Sequence, residues 1–186
     1  MAEREEITAL ETERLVMRPL TWDDLPGLKK ILQDRETMRF YEGPMEEEEC
    51  VAWLQRQLCR YENLGFGPMA VCLRGQREMM GQCGLSLQQG PEGDYLEVGY
   101  LLNRAFWHRG YATEAARAVR DHAFEAMNAP SVYSFIREGN IASMNVAIRN
   151  GMTIRCAFTK HYRGIDMVHY IFGADNPRRR EKGSQA

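Results

Sequence analysis

The chain has 186 residues, of which 44% are hydrophobic and 27% are charged, and these proportions fit one globular domain around a single core. A formal net charge of -2 argues against a nucleic-acid-binding or membrane-surface protein. The N-terminal run MAEREEITAL is too charged for a signal peptide, and no run of about 18 apolar residues predicts a membrane span. We therefore expect a cytoplasmic protein.

The cysteines and histidines predict neither a disulfide framework nor a metal site. The five cysteines are odd in number, scattered along the chain and free of any C-x-x-C pair, which is typical of reduced, partly buried thiols. The four histidines lack the H-E-x-x-H spacing that places two ligands on one helical face. We expect no bound metal.

The first third of the chain predicts one strand and two helices. The run TERLVMRPL at Thr12–Leu20 is apolar-rich and favours a strand. Thr21 then precedes two acidic residues and an apolar helical period, which predicts a capped helix as far as about Asp34. A second helix is predicted from near Met45 to Gly65, because four glutamates complement the positive dipole at its N-terminus.

The middle of the chain predicts an antiparallel meander followed by a long helix. Three strand-like runs, Met69–Arg74, Met80–Gln88 and Asp94–Asn103, are separated by the turn signals RGQRE and QGPEGD. From Arg109 to Met127 the apolar period changes to that of a helix, with one face of small residues that can approach a sheet closely.

The last third predicts a strand, a short helix and a hairpin. The strand spans Val132–Glu138, the helix spans Ile141–Asn150, and the runs TIRCAFTKHY and IDMVHYIFG form the hairpin. The whole order predicts a mixed α/β fold: a mostly antiparallel sheet of about seven strands flanked by about four helices, in a single domain over residues 1–175. The basic tail at 176–186 is predicted to be disordered, with weak anion binding as the alternative.

Gly110 is the residue with the clearest chemical implication. It stands where a strand has ended and a helix begins, so the unpaired N–H groups of the first turn favour a phosphate group. The turn has neither the G-x-x-x-x-G-K-[ST] of a Walker A loop nor the G-x-G-x-x-G of a dinucleotide fold. By spacing alone, an ordinary strand-to-helix turn remains the alternative.

The segment WHRGYATEA around this glycine resembles the GNAT superfamily of N-acetyltransferases. That superfamily has Q/R-x-x-G-x-G/A at the start of its long helix, and Trp107–Ala112 occupies the six positions. With tryptophan first, the segment is similar to the variant W-x-x-G-Y-A-T-E-A of the branch that contains the ribosomal-protein N-terminal acetyltransferases. TERLVMRPLTWDD, EVGYLL and GNIASMNVAIRNGM resemble other parts of that branch, so the resemblance extends over about Thr12 to Gly173.

The resemblance implies a GNAT fold and acetyl-CoA as co-substrate. The pantetheine arm would pair with strand backbone, and the pyrophosphate would bind the N–H groups of the helix start. Near the last helix, two residues would contact the pantetheine arm and a third would lie along the same edge. The residues implied are Tyr100, Leu101 and Leu102 for the strand, Arg109, Gly110, Tyr111, Ala112 and Thr113 for the pyrophosphate, and Asn140, Ser143 and Asn145 near the last helix. For Asn140, a helix cap is the compatible alternative.

Acetyl transfer also needs a base, an oxyanion donor and a way for the thiolate to leave. Glu97 is the candidate base, with ordinary strand alternation as the alternative role and Glu138 as a competitor, and a backbone N–H near Leu101 is the candidate oxyanion donor. In the superfamily, a tyrosine in the last helix commonly serves as the general acid. Ala147 stands at that position here, as is usual in the resembled branch. Either Ser143 or a water then assists the thiolate, or the thiolate leaves unaided.

Three functions stay open on the sequence: N-acetylation of a protein or peptide N-terminus, acetylation of a small amine such as a polyamine or antibiotic, and non-catalytic acyl-CoA sensing. Glu42 and Glu46–Glu49 suggest a cationic acceptor, unless these glutamates only complement a helix terminus. The chain would act as a monomer or a homodimer.

Overall fold

The computed structural model describes residues 8–162 and 165–179. These residues contain eight strands and four α-helices, which follow the order that the sequence predicts with one additional strand at the start. The strands are β1 (Leu10–Glu11), β2 (Leu15–Pro19), β3 (Pro68–Leu73), β4 (Met79–Gly90), β5 (Gly93–Leu102), β6 (Ser131–Arg137), β7 (Thr153–Tyr162) and β8 (Ile165–Asp175), and the helices are α1 (Leu25–Leu32), α2 (Glu47–Leu64), α3 (Tyr111–Glu125) and α4 (Ile141–Arg149).

The strands form one mixed sheet in the order β1-β2-β3-β4-β5-β6-β8-β7. Every neighbouring pair is antiparallel except β5 and β6, which are parallel. The mixed, mostly antiparallel fold is therefore confirmed. The strand beyond the predicted seven is β1, whose two residues are too few to show a periodic pattern.

The sheet is covered on both faces, which gives two clusters of buried side chains. One cluster packs the sheet against α3, where Ala115, Ala116 and Ala123 are fully buried, so the predicted small-residue face does meet the sheet. The other packs α1 and α2 against the opposite face through residues such as Leu28 and Leu54. Alternate residues of β5 therefore point toward different helices.

The strands β5 and β6 diverge after a single point of contact. Glu97 pairs with Tyr133, whereas β4 and β5 stay paired from Gly90–Gly93 to Gly81–Leu102. The second half of β5 consequently has one edge paired with β4 and the other edge open to a cleft. This cleft positions the candidate site.

Residues 176–179 belong to the predicted disordered tail, and the structure gives them contacts with the rest of the fold. The Asn176 side chain is buried and donates to the carbonyls of Phe124 and Ala129 at 3.2 and 3.0 Å. Residues 177–179 form a helical turn, and Arg178 pairs with Glu125 at 2.6 Å. These contacts fix the segment, because a buried amide group needs its partners; the rest of the tail and the predicted hairpin turn at Arg163 and Gly164 lie outside the described residues.

Across the described ranges, no helix is both long enough and apolar enough to cross a membrane.

Candidate active site

The start of α3 presents a row of unpaired backbone donors. Gly110 is its N-cap residue with a left-handed φ of 80°, and His108 two residues earlier also has a positive φ of 60°. The N–H groups of residues 109–113 have no acceptor among the residues that the structure describes. Left-handed residues next to a helix N-terminus form a concave anion-binding surface. The geometry therefore suits a phosphate group.

An ion pair ties this turn to the beginning of β2. The Arg14 guanidinium lies 2.5 Å from the Glu114 carboxylate, which also accepts bonds from the Arg14 backbone N–H and the Thr12 hydroxyl. Arg14 donates further to the Arg109 carbonyl at 3.0 Å and stacks 4.6 Å over the Tyr111 ring. These contacts hold the loop before α3 in place, because charge-assisted bonds are the stronger kind.

Alternation along β5 decides which backbone groups face the cleft. The Asn103 N–H donates to Met80 on β4, whereas the carbonyls of Leu102 and Val98 accept from Trp107 Nε1 and Ser134 Oγ. Because backbone groups alternate between the two edges of a strand, the Tyr100 groups face the cleft and those of Leu101 face β4. Tyr100 is thus the better-placed oxyanion donor of the two. The Leu102 carbonyl is already engaged by the Trp107 indole.

The side chains of Tyr100 and Ser143 meet between β5 and α4. The Tyr100 hydroxyl donates to the Ser143 carbonyl at 2.9 Å, and the Ser143 hydroxyl donates to the Tyr100 oxygen at 3.1 Å. Burial raises the pKa of the Tyr100 phenol, which keeps it protonated. Asn140 accepts from the Ser143 N–H at 3.2 Å and so acts as the cap of α4. Ala147 is fully buried in the core.

Glu97 lies on the opposite face of β5 from Tyr100, toward α1 and α2. Its carboxylate accepts from the Ser86 hydroxyl at 3.1 Å and from the Phe135 N–H at 3.4 Å. Burial raises the pKa of Glu97, although these two hydrogen bonds oppose the rise. A carboxyl group with a raised pKa is suited to accept a proton near neutral pH. The competitor Glu138 is exposed, and its carboxylate accepts from the Tyr170 hydroxyl.

One cavity of about 930 Å³ joins these features. It is lined by Glu97, Tyr100 and Ser143 together with Gly110 and Thr113 at the start of α3. Leu101, Leu102, Asn140 and Asn145 also line it, so residues predicted from three separate motifs converge on one space. Of the other predicted positions, Arg109, Tyr111 and Ala112 belong to the turn and first residues of α3 beside it.

Only some of the glutamates that suggested a cationic acceptor lie at the cavity. Glu42 and Glu49 line the cavity, whereas Glu46, Glu47 and Glu48 do not. Glu47 pairs with Lys29 at 2.5 Å, and the Glu46 N–H donates to Glu49 at 2.9 Å, as expected of residues that complement a helix start. The described part of the chain holds no group of three or more potential metal ligands.

Three features of the candidate site were missed in the sequence. The Tyr100 side chain, the Arg14–Glu114 pair and Gly99 all lie at the site, and a Cβ on Gly99 would meet no atom within 4 Å. The signals were present, since Glu114 belongs to WHRGYATEA and Arg14 to TERLVMRPL. Their partners are about 100 residues away in the chain, so no local pattern connects them.

The sheet splays beside a helix start whose unpaired N–H groups suit an anion. The family model described as "Acetyltransferase (GNAT) domain" matches residues 14–153. The chain belongs to this GNAT acetyltransferase family.

The chain is similar to two curated proteins and to a solved structure. The uncharacterized protein YkkB of Bacillus subtilis is 34% identical over 151 residues, which cover 78% of this chain and 85% of YkkB. An Aspergillus fumigatus protein named FsC-acetyl coenzyme A-N(2)-transacetylase is 29% identical over 164 residues, covering 82% of this chain and 68% of that protein. The structure of RimL, a ribosomal L7/L12 alpha-N-protein acetyltransferase in complex with coenzyme A, shares the fold, with a TM-score of 0.74, 17% identity and coverage of 90% of this chain and 98% of RimL.

Proposed function

We propose that this protein transfers the acetyl group of acetyl-CoA to a primary amine, with the N-terminal amine of a protein or peptide as the first candidate acceptor. The observation that carries the proposal is a shared cavity, which runs from the unpaired N–H groups at the start of α3 to the carboxylate of Glu97. One end suits the pyrophosphate of acetyl-CoA, and the other offers a base to an amine.

The co-substrate would bind along the open edge of β5. Backbone N–H groups from Arg109 to Thr113 would hold the pyrophosphate oxygens, and the pantetheine arm would extend along the Tyr100 backbone toward the point where the strands diverge. Asn145 lines the same cavity and would border the arm. This direction brings the thioester close to Glu97.

Transfer would then be direct, without a covalent enzyme intermediate. Glu97, acting directly or through a water, takes the proton from the ammonium form of the acceptor, and the freed amine attacks the thioester carbonyl. The Tyr100 N–H stabilises the oxyanion of the tetrahedral intermediate. When the C–S bond breaks, the Ser143 hydroxyl donates a proton to the leaving thiolate and regains one, through water, from the nitrogen of the intermediate. Glu97 then releases its proton to solvent, which leaves the neutral amide and the thiol as products.

The branch resemblance and the shared RimL fold favour a protein or peptide N-terminus as acceptor. A small amine is the second candidate, because the Aspergillus relative is named for acetylation of a nitrogen in FsC. The fold is compatible with both acceptors.

The proposal is tested by mixing the protein with acetyl-CoA and a panel of peptides and small amines while free thiol is followed. We expect free thiol to be released only when one class of amine is present. The mass of that amine should rise by that of one acetyl group. Tight CoA binding with no thiol release for any amine would overturn the enzymatic proposal in favour of a sensor.

A further inference from the structure

The acceptor side of the cavity carries four cationic side chains. Arg56 and Arg60 come from α2, Arg137 from the end of β6 and Lys160 from β7, and all four line the same cavity as Glu97. Arg60 and Arg137 are half-buried, while Arg56 and Lys160 are exposed at its mouth. Three different elements thus direct positive charge toward one space.

The direct contacts of the three arginines are with neutral groups. Arg60 donates to the Gln57 amide oxygen at 2.8 Å, Arg137 donates to the Tyr41 carbonyl at 3.1 Å, and the Arg56 guanidinium stacks on Trp53 at 5.8 Å. These partners are all neutral. Within residues 8–162 and 165–179, none of the four cations lies within ion-pair distance of a carboxylate.

Among the described residues, the carboxylates that line the cavity are those of Glu36, Glu42, Glu49 and Glu97. Glu36 is paired with Arg39 at 2.5 Å, and Glu49 accepts the backbone N–H of Glu46 at the start of α2. Glu97 lies on the sheet. Burial raises the pKa of Glu97, and the positive charges of Lys160 and Arg60 oppose that rise. Arginine and lysine side chains outnumber carboxylates in the described lining, six to four, so an acceptor that carried only a positive amine would meet a net positive surface.

We propose that the amine acceptor also carries a carboxylate close to its amine, and that Arg60 and Lys160, aided by Arg56, bind that carboxylate. This inference rests on the proposed acetyl transfer and names the class of its acceptor. Arginine and lysine side chains without an ionic partner bind a carboxylate by charge-assisted bonds. An acidic residue near a peptide N-terminus and a free dicarboxylic amino acid both supply this chemistry.

Binding to the protein–CoA complex tests the inference directly. Three fluorescent peptides share the same N-terminal residue. Their second and third residues are both glutamate, both glutamine or both lysine, and the affinity of each peptide is measured by fluorescence anisotropy. We expect the glutamate peptide to bind about tenfold or more tightly than the glutamine peptide, and the advantage to shrink at high salt. Equal affinities for these two peptides would overturn the inference.

Variants identify the binding residues. Arg60→Gln and Lys160→Gln should each weaken binding of the glutamate peptide about tenfold and leave the glutamine peptide unchanged. The matched control is Lys30→Gln, because Lys30 is an exposed cation that pairs with Glu78 and does not line the cavity. An equal loss in the control would mean that only net charge matters and would contradict the proposed site. Competition by free glutamate against free glutamine separates a small acceptor from a peptide.

Thiol release with the same peptides separates this inference from the proposed function. Tighter binding of the glutamate peptide without thiol release would leave the inference standing and overturn the acetyl transfer. Thiol release at equal kcat/KM for the glutamate and glutamine peptides would support the transfer and overturn the inference.

Discussion

The hydroxyl of Ser143 donates to the phenolic oxygen of Tyr100 at 3.1 Å, and the Tyr100 hydroxyl returns a bond to the Ser143 carbonyl at 2.9 Å. The two residues come from α4 and β5, so these bonds cross the cleft that the diverging strands leave open. Ala147, at the position of the family's general-acid tyrosine, is buried and has no hydroxyl group. Tyr100 and Ser143 instead supply hydroxyl groups near the proposed position of the thiolate.

Ser143→Ala should lower kcat about 100-fold and raise KM for acetyl-CoA only a few-fold, because general acid assistance acts in the transition state. Steady-state kinetics with varied acetyl-CoA measures the two effects separately. A higher KM with an unchanged kcat would leave Ser143 as a binding contact alone.

Tyr100→Phe serves as the control for that change. It retains the ring and the Ser143 hydroxyl but removes both bonds, so it should destabilise the fold by about 1 kcal/mol and lower Tm by about 2–4 °C. Its effect on kcat should be smaller than that of Ser143→Ala.

Glu97→Gln should lower kcat/KM about 10²- to 10⁴-fold and flatten its rise with pH, since an amide cannot accept the ammonium proton. The wild-type profile should rise at a pH above the ordinary range of a glutamate, because burial raises the pKa of Glu97. Glu78→Gln is the matched control, as Glu78 is exposed and paired with Lys30. An unchanged profile in Glu97→Gln would remove this residue from the mechanism.

The same substitution should stabilise the fold at neutral pH. A raised pKa means that Glu97 favours folding when it is protonated, below its unfolded pKa, and that this contribution is lost as the pH rises through the higher folded pKa. Glu97→Gln should therefore have a higher Tm than wild type at pH 7, with the difference vanishing near pH 4. Thermal melts at both pH values measure it, and a lower Tm at pH 7 would contradict the proposed burial of charge.

Gly99→Val should block the acceptor without disturbing the co-substrate. Gly99 lies on the same face of β5 as Glu97, two residues away, and a Cβ there would point into open space. We expect KM for the amine to rise about tenfold or more while the Kd for acetyl-CoA stays within a factor of two or so. Gly99→Ala should show a smaller effect in the same direction, and a loss of acetyl-CoA binding in either variant would contradict this placement.

Glu114→Gln should weaken the fold and co-substrate binding together. It removes the anionic partner of Arg14, whose contacts hold the Arg109 carbonyl, and should cost about 1–2 kcal/mol of unfolding free energy. We expect the Kd for acetyl-CoA, measured by calorimetry, to rise several-fold. Glu11→Gln breaks the half-exposed Glu11–Arg74 pair and should leave that Kd unchanged.

The element order could be predicted because each element has its own local signal. The period of β3 to β5, the alanine face of α3 and the left-handed Gly65 after α2 all match what the sequence indicates. Segment ends were less accurate: the first strand was predicted from Thr12, whereas β2 begins at Leu15. The segment after β8 reads as a polar tail, but the burial of Asn176 depends on carbonyls about 50 residues away.

The sequence by itself indicated the class of protein through the resemblance of WHRGYATEAA to the GNAT motif, which is a local signal, although the spacing alone left an ordinary strand-to-helix turn open. Only the tertiary structure decided which residues share the cavity. The face of Glu97, the meeting of Tyr100 with Ser143 and the gathering of Arg60 and Lys160 depend on strand order and on the divergence of β5 from β6. The physical reason is that such contacts join residues far apart in the chain, and no short-range periodicity encodes them.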